Sequence, residues 1–230
     1  MKNAPPRQFT LDLENRPAYG REDFLVSPSN EAAFRYVDTF PSGPERRMLL
    51  VGPPGSGKTH LAMIFSERLS AANISAASLR EQDLPSLLAR GALVVEDADR
   101  LNGRETELFH LLNLAAETRA AVLMTARAAP AHWGIGLPDL LSRLRLLPAV
   151  EIEAPDDALL RAVIVKHFVD RQLAIDTSVV ETLARHIDRS LEAARTMVEA
   201  LDREALARSK PVTRALVTDL LGRGARDNQG

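Results

Sequence analysis

The stretch GPPGSGKT, residues 52–59, sets glycine, lysine and threonine at a spacing suited to phosphate chemistry. Glycines let a loop fold so that consecutive backbone N–H groups converge on one anion, and a helix starting directly after it adds partial positive charge. In the pattern GxxxxGK[ST], Gly52, Pro53, Pro54, Gly55, Ser56 and Gly57 make the cradle. Lys58 then reaches the β- and γ-phosphates of a bound ADP or ATP, and Thr59 binds its Mg²⁺. Further on, LVVEDADR (93–100) ends an apolar run in two carboxylates, Glu96 and Asp97. A carboxylate at a strand tip holds Mg²⁺ and its neighbour orients an attacking water, which gives Glu96 the metal role and Asp97 the catalytic one. The first acid of such a pair is usually Asp. Glu96 is one methylene longer, so unaided hydrolysis is expected to be weak. AVLMTA (121–126) ends a third apolar run near Thr125, which would bring a hydroxyl close to the γ-phosphate.

These residues need a scaffold of strand tips. Apolar runs of strand length, RMLLV (47–51), ALVVE (92–96) and AVLMT (121–125), alternate with helical periodicity over 58–72 and 104–119. Shorter pieces, ISAASL and QDLPSLLAR, lie between them. The alternation predicts an α/β fold with a parallel sheet flanked by helices, over 19–155. After Pro155 the pattern becomes wholly helical, with segments at 156–172, 177–187, 190–208 and 213–221 and with Asp156, Asp176 and Thr213 as N-caps. This second unit, 156–222, is expected to be a small helical lid. Residues 1–18 are expected to be a flexible peptide and 223–230 a disordered tail.

Composition narrows the function. The 230 residues include no cysteine, which removes disulfides and thiolate metal sites, and the five histidines lack ligand spacing. A net charge of −2 does not suit a protein built for non-specific grip on nucleic acid, though a local basic patch is compatible with it. No apolar run is long enough for a membrane span, and the first residues lack the apolar core of a signal peptide. The chain is read as cytoplasmic.

The order of P-loop, acidic strand tip, polar strand tip, the segment GLPDLLSRLRL (136–146) and a helical lid resembles an AAA+ ATPase. GPPGSGKTHL and GLPDLLSRL are similar to the DnaA family of replication initiators, and most of all to its Hda-type regulators. The resemblance implies a nucleotide-binding base domain, an arginine finger at Arg143, with Arg145 the alternative, and a lid arginine on the nucleotide at Arg189. Arg185 and Arg195 offer other registers for the last of these. Trp133 is read as packing beneath the loop that leads to Arg143.

The initiators carry a DNA-binding helix-turn-helix after the lid, and this sequence ends soon after its last helical pattern, so no direct sequence-specific DNA binding is expected. QFTLDL at 8–13, fenced by prolines, reads in isolation as a loose tail or an edge strand. Hda-type proteins carry a comparable peptide that docks on the sliding clamp, the β subunit of DNA polymerase III. The resemblance places that contact on Gln8, Phe9, Leu11 and Leu13. The expected role is to restrain replication initiation by stimulating ATP hydrolysis in DnaA, and homo-oligomerisation is compatible with it. The alternative is an autonomous AAA+ ATPase such as a helicase loader or transposition helper.

Overall fold

A strand covered by helices on both faces has no side for polar residues, which is why RMLLV, ALVVE and AVLMT read as unbroken apolar runs. The computed structural model describes residues 19–208 and 210–227, so the peptide at 8–13 lies outside the described residues. Five parallel strands, β1 (Arg47–Val51), β2 (Ala72–Ser75), β3 (Ala92–Glu96), β4 (Ala121–Ala126) and β5 (Ala149–Glu151), form one sheet in the order β2-β3-β4-β1-β5. In register, Val51 lies opposite Ala126 and Ser75 opposite Glu96, so the strands end together along one edge.

Side chains alternate between two cores. Met48 and Leu50 of β1, Val94 of β3 and Leu123 of β4 meet Val37 of α1 (Glu31–Thr39) and Leu61 and Phe65 of α2 (Lys58–Leu69). The opposite face carries Leu49, Leu93, Val95, Val122 and Met124. It packs on α3 (Leu84–Leu88), α4 (Glu105–Thr118) and α5 (Pro138–Leu146) through Leu88, Leu108, Leu111, Leu112, Leu140 and Leu144. Trp133 packs at the edge of this second core and donates its ring N–H to the Ala128 carbonyl at 2.7 Å, below the loop leading to α5.

The helical lid comprises α6 (Asp157–Asp170), α7 (Thr177–His186), α8 (Leu191–Arg208) and α9 (Arg214–Asp227), around Ile164, Phe168, Leu183, Val198, Leu201 and Val217. Asp156 caps α6 by accepting from the Leu159 amide at 2.8 Å, and Asp176 caps α7 through the Ser178 amide at 2.8 Å. Thr213 Oγ1 accepts from the Leu216 amide at 3.4 Å at the start of α9.

Several elements differ from the sequence reading. Strand β2 begins at Ala72, ahead of ISAASL, and 76–78 turn as a 3-10 helix. Helix α1, helix α5 and β5 are absent from the sequence reading; the two helices span nine residues each and β5 only three. Helix α9 runs to Asp227, past the expected end at 221 and into the segment expected to be a disordered tail from 223. The glycines of GRGARD weaken a helical reading. Leu216, Val217, Leu220 and Leu221 seat α9 on the lid core, and each further residue then adds a backbone hydrogen bond without a new nucleation cost.

Replacing Asp156 with Ala removes the α6 cap and should cost about 1 kcal/mol, read as a lower urea midpoint. Hydrogen bonding to the Leu159 amide holds the Asp156 carboxyl below its ordinary 3.8, so its contribution is present above that pH and is lost as pH falls through the lower folded value. Asp156→Asn should keep most of the cap and lose the acid dependence.

Candidate functional site

The loop after β1 passes between the sheet and the lid. The Gly52 amide donates to the Ala126 carbonyl at 3.1 Å, which fastens the start of the loop to the tip of β4. A Cβ at Gly52 would collide with the carbonyl oxygen and Cγ2 of Ile152. Gly55 and Gly57 have φ of +67° and +104°, a region that L side chains rarely adopt. A Cβ at Gly55 would also strike Ser190 Oγ, because the start of α8 lies directly on the loop. There the Leu191 amide donates to the Gly55 carbonyl at 2.8 Å and Ser190 Oγ accepts from the Ala193 amide at 3.2 Å.

Lys58, the first residue of α2, is 9% exposed and donates from Nζ to the carbonyls of Gly52 and Pro53, each at 2.7 Å. Burial pushes its ammonium below the ordinary lysine range, the Arg127 charge pushes the same way, and Asp97 and Asp99 oppose. Ser56 Oγ is buried without a hydrogen-bond partner in the loop. A cradle of left-handed glycines, a desolvated cation and an unsatisfied buried hydroxyl fits a phosphate group.

The strand tips complete the polar end. Thr59 Oγ1 donates to Glu96 Oε2 at 3.0 Å, so the two groups read as Mg²⁺ partners stand side by side. Asp97 adopts φ +52°, strained for a non-glycine residue. Thr125 holds it there: its Oγ1 accepts from the Asp97 amide at 3.1 Å and its carbonyl from the Ala98 amide at 2.7 Å. Thr125 is 2% exposed, so its place is behind the acidic tip, positioning Asp97. Among the described residues no group of three or more acidic or histidine side chains stands at metal-ligand spacing, so a cation here would draw further ligands from phosphate and water.

Beyond the loop a cavity of about 470 Å³ opens between base and lid. Tyr19, Phe24, Leu25 and His60 line one side, and Leu159, Val163 and Leu191 the lid side. His60 Nε2 lies 3.0 Å from the Gly20 carbonyl, with its ring edge-on to Tyr19 and Phe24 at 5.3 and 5.1 Å. Burial lowers the His60 pKa, which keeps the ring neutral near pH 7. A cavity with an aromatic wall and a charged far side, opening beside a phosphate cradle, has the form of a nucleoside pocket.

The arginines separate. Arg189 pairs with Asp157 at 2.6 Å, is 64% exposed and does not line the cavity. Arg195, one turn into α8, does line it, with its guanidinium held by Glu199 at 3.3 Å. Glu199 also takes Arg171 at 3.2 Å. Arg143 does not line this cavity; it stands on the α4–α5 layer of the opposite core, where its guanidinium lies 4.8 Å above the Phe109 ring. Arg143 and Arg145 are exposed, and neither has an ion-pair partner among the described residues. Arg195 stood in the sequence as an alternative register to Arg189, whereas His60, Arg127 and Asp99 carried no signal there.

No protein-family model matches the chain. The replication factor C large subunit of Methanococcus maripaludis strain C6 is 22% identical over 190 residues, which cover 75% of this chain and 38% of the relative. The chain therefore aligns with well under half the length of that curated relative. Among solved structures, domain III of the Thermotoga maritima replication initiation protein DnaA superposes with a TM-score of 0.76 at 20% identity, covering 89% of this chain and 95% of that one. AMPPCP-bound DnaA from Aquifex aeolicus gives 0.71 at 18% identity over 92% of this chain and 70% of that one. The Thermotoga maritima RuvB Holliday junction branch migration motor gives 0.69 at 18% identity, covering 87% and 70%.

Gly55→Ala should strain the left-handed residue and push Ser190 off the loop, costing on the order of 1–3 kcal/mol and lowering the thermal midpoint. Gly43→Ala, where an added Cβ meets nothing, is the control and should leave the midpoint unchanged. Likeness at these identities shows the fold: the chain shares with DnaA domain III and RuvB a parallel sheet flanked by helices and followed by a helical unit.

Proposed function

We propose that this chain is a nucleotide-bound regulator of chromosomal replication initiation. It carries ADP or ATP with Mg²⁺ on its own P-loop, is tethered to the sliding clamp by residues 8–13, and offers Arg143 in trans to the nucleotide site of DnaA. The observation that carries the reading is the position of Arg143. The residue is exposed, does not line the chain's own cavity beside the loop and stands over Phe109, an arrangement suited to a neighbour's phosphate. The likeness to a replication factor subunit and to replication initiators supports a setting in DNA replication.

In this reading the residues divide the work. The loop amides and Lys58 bind phosphate, Thr59 and Glu96 hold the cation, and Arg195 replaces Arg189 as the lid's contact to the nucleotide. The bound Mg²⁺ neutralises phosphate charge. Because α8 rests on Gly55, an occupied loop holds base and lid as one unit and fixes the face on which Arg143 stands. Arg143 then stabilises the charge that develops on the partner's transferred phosphoryl group, an effect worth about 10³ to 10⁵ in rate for known fingers.

A second reading, autonomous hydrolysis, is favoured by one observation: Thr59 and Glu96 already meet at 3.0 Å, so the longer acid still reaches the metal position. Phosphate release measured for the protein alone, with DnaA, and with DnaA plus DNA-loaded clamp separates the two. Hydrolysis that appears only in the full mixture supports the regulator, and Arg143→Ala should remove it while clamp binding persists. Fast turnover by the chain alone would sink the regulatory reading.

Nucleotide affinity, followed by fluorescent ADP titration, should fall about 10- to 100-fold in Lys58→Ala, the size of a lost charge-assisted hydrogen bond. Arg195→Ala should fall by more than Arg189→Ala; the reverse order would return the lid contact to Arg189.

A further inference from the structure

The strand-start edge of the sheet, opposite the P-loop, carries a row of arginines that neither the proposed nucleotide site nor the trans finger uses. Three adjacent strands, β3, β4 and β1, are entered through Arg90-Gly91, Arg119-Ala120 and Arg46. The first two amides of β4 tie these entries together. Ala121 N donates to the Gly91 carbonyl at 2.8 Å on one side, and Val122 N donates to the Arg46 carbonyl at 2.7 Å on the other. Neighbouring strands lie about 4.8 Å apart, so the three backbones fall within about 10 Å along the edge.

Arg90 and Arg119 are exposed, and neither has an ion-pair partner among the described residues. Arg46 and Arg119 line a shallow recess of about 100 Å³ together with Arg47, Glu45 and Ala115. The one acid there is already engaged, since Glu45 takes Arg47 Nε at 2.7 Å and Nη2 at 2.8 Å. Arg46 Nε is buried and has no acceptor. A buried guanidinium N–H without an acceptor is unusual in a folded protein, and it leaves the Arg46 charge uncompensated beside the recess.

A cation at the C-terminal end of a helix offsets that helix's partial negative charge, and Arg119 does this for α4. That accounts for neither the unpartnered Arg46 Nε nor the alignment of three entries on one edge. The recess walls are small, Pro44, Ala115 and Ala116, and give a partner protein no apolar pocket for an anchoring side chain. Arginines on three adjacent strand entries, without such a pocket, suit a repeating chain of phosphates.

We propose that the strand-start edge formed by Arg46, Arg90 and Arg119 is a nucleic-acid backbone site, contacting consecutive phosphates of a DNA strand without reading bases. The site is independent of the P-loop and of Arg143. It would hold the protein against DNA while the opposite edge of the sheet stays free for nucleotide. Because it reads no bases, it does not alter the expectation that sequence-specific binding is absent.

The test is the salt dependence of binding to a labelled duplex of arbitrary sequence, from about 50 to 200 mM salt. The unaltered protein should bind at the low end, with a log–log slope that Arg90→Ala/Arg119→Gly reduces by about 2, one per lost phosphate contact. Glycine is chosen at 119 because that residue has φ +55°. Arg90→Lys/Arg119→Lys should keep the slope, and nucleotide affinity should be unchanged in both pairs. In the unaltered protein, duplex should protect Arg90 and Arg119 from phenylglyoxal, a readout that needs no variant, whereas inorganic phosphate at the same phosphate concentration should not. No duplex binding at 50 mM salt, an unchanged slope in the neutral pair, or modification of both arginines at the same rate with and without duplex would each overturn the proposal. So would normal duplex binding by the neutral pair with loss of DnaA stimulation, because the arginines would then serve a protein.

Discussion

The hydrogen bond from the Leu191 amide to the Gly55 carbonyl is the contact on which the site depends. It forms only because the residue at 55 has no side chain and can adopt φ +67°; any Cβ would occupy the place of Ser190 Oγ. One glycine therefore shapes the phosphate cradle and admits the lid. The cavity beside the loop exists because α6 and α8 are brought over it, and its aromatic wall at Tyr19, Phe24 and His60 comes from the segment before α1. That segment straddles both units: Phe24 packs in the α1–α2 core and Leu25 against the lid core, while Asp23 pairs with Lys166 of α6 at 2.8 Å. Base and lid are thus joined at the loop and again at the far wall of the cavity.

The sheet supplies the second constraint. Parallel strands buried on both faces end in register, and their tips present Glu96 and Asp97 to the loop, with the buried Thr125 directly behind them. The strain at Asp97 is contained by Thr125, which accepts its amide and, through the carbonyl, the amide of Ala98. A hydroxyl read from its strand-end position as a phosphate neighbour has its clearest structural role in holding the acid. Burial of Lys58 follows from the same packing, with its ammonium turned onto two loop carbonyls.

Much of this was legible in the residues. Strands β1 and β3 begin and end where their apolar runs do, and the caps at Asp156 and Asp176 fall where an acid precedes a helical period. Motifs fixed by backbone chemistry are local, so the P-loop could be located by spacing alone. What stayed hidden depends on distant partners. Strand β5 has three residues, only one of them half-buried, and becomes a strand because β1 offers it an edge. The choice between Arg189 and Arg195 turns on where α8 begins and which way it faces. Ser190 precedes the first turn, so Arg189 points out to Asp157 while Arg195 returns one turn later to the cavity wall. Spacing cannot supply that rotation.

The position of Arg143 turns on a comparison of energies. An exposed arginine usually gains little from any one conformation and loses side-chain entropy when held. Here the Phe109 ring offers a cation–π face, an interaction worth about 0.5–1 kcal/mol at an exposed site. That is enough to bias the guanidinium toward one orientation and too little to fix it there, so it stays available to a stronger acceptor. A phosphate is such an acceptor, since bidentate, charge-assisted hydrogen bonds exceed a single cation–π contact. Leu144 and Leu140, fully buried on the inner side of α5, keep the helix from rolling and the outward side of the turn that carries Arg143 exposed. A rigid helix bearing a weakly held cation thus lies on the sheet face opposite α2, with its charge turned to solvent.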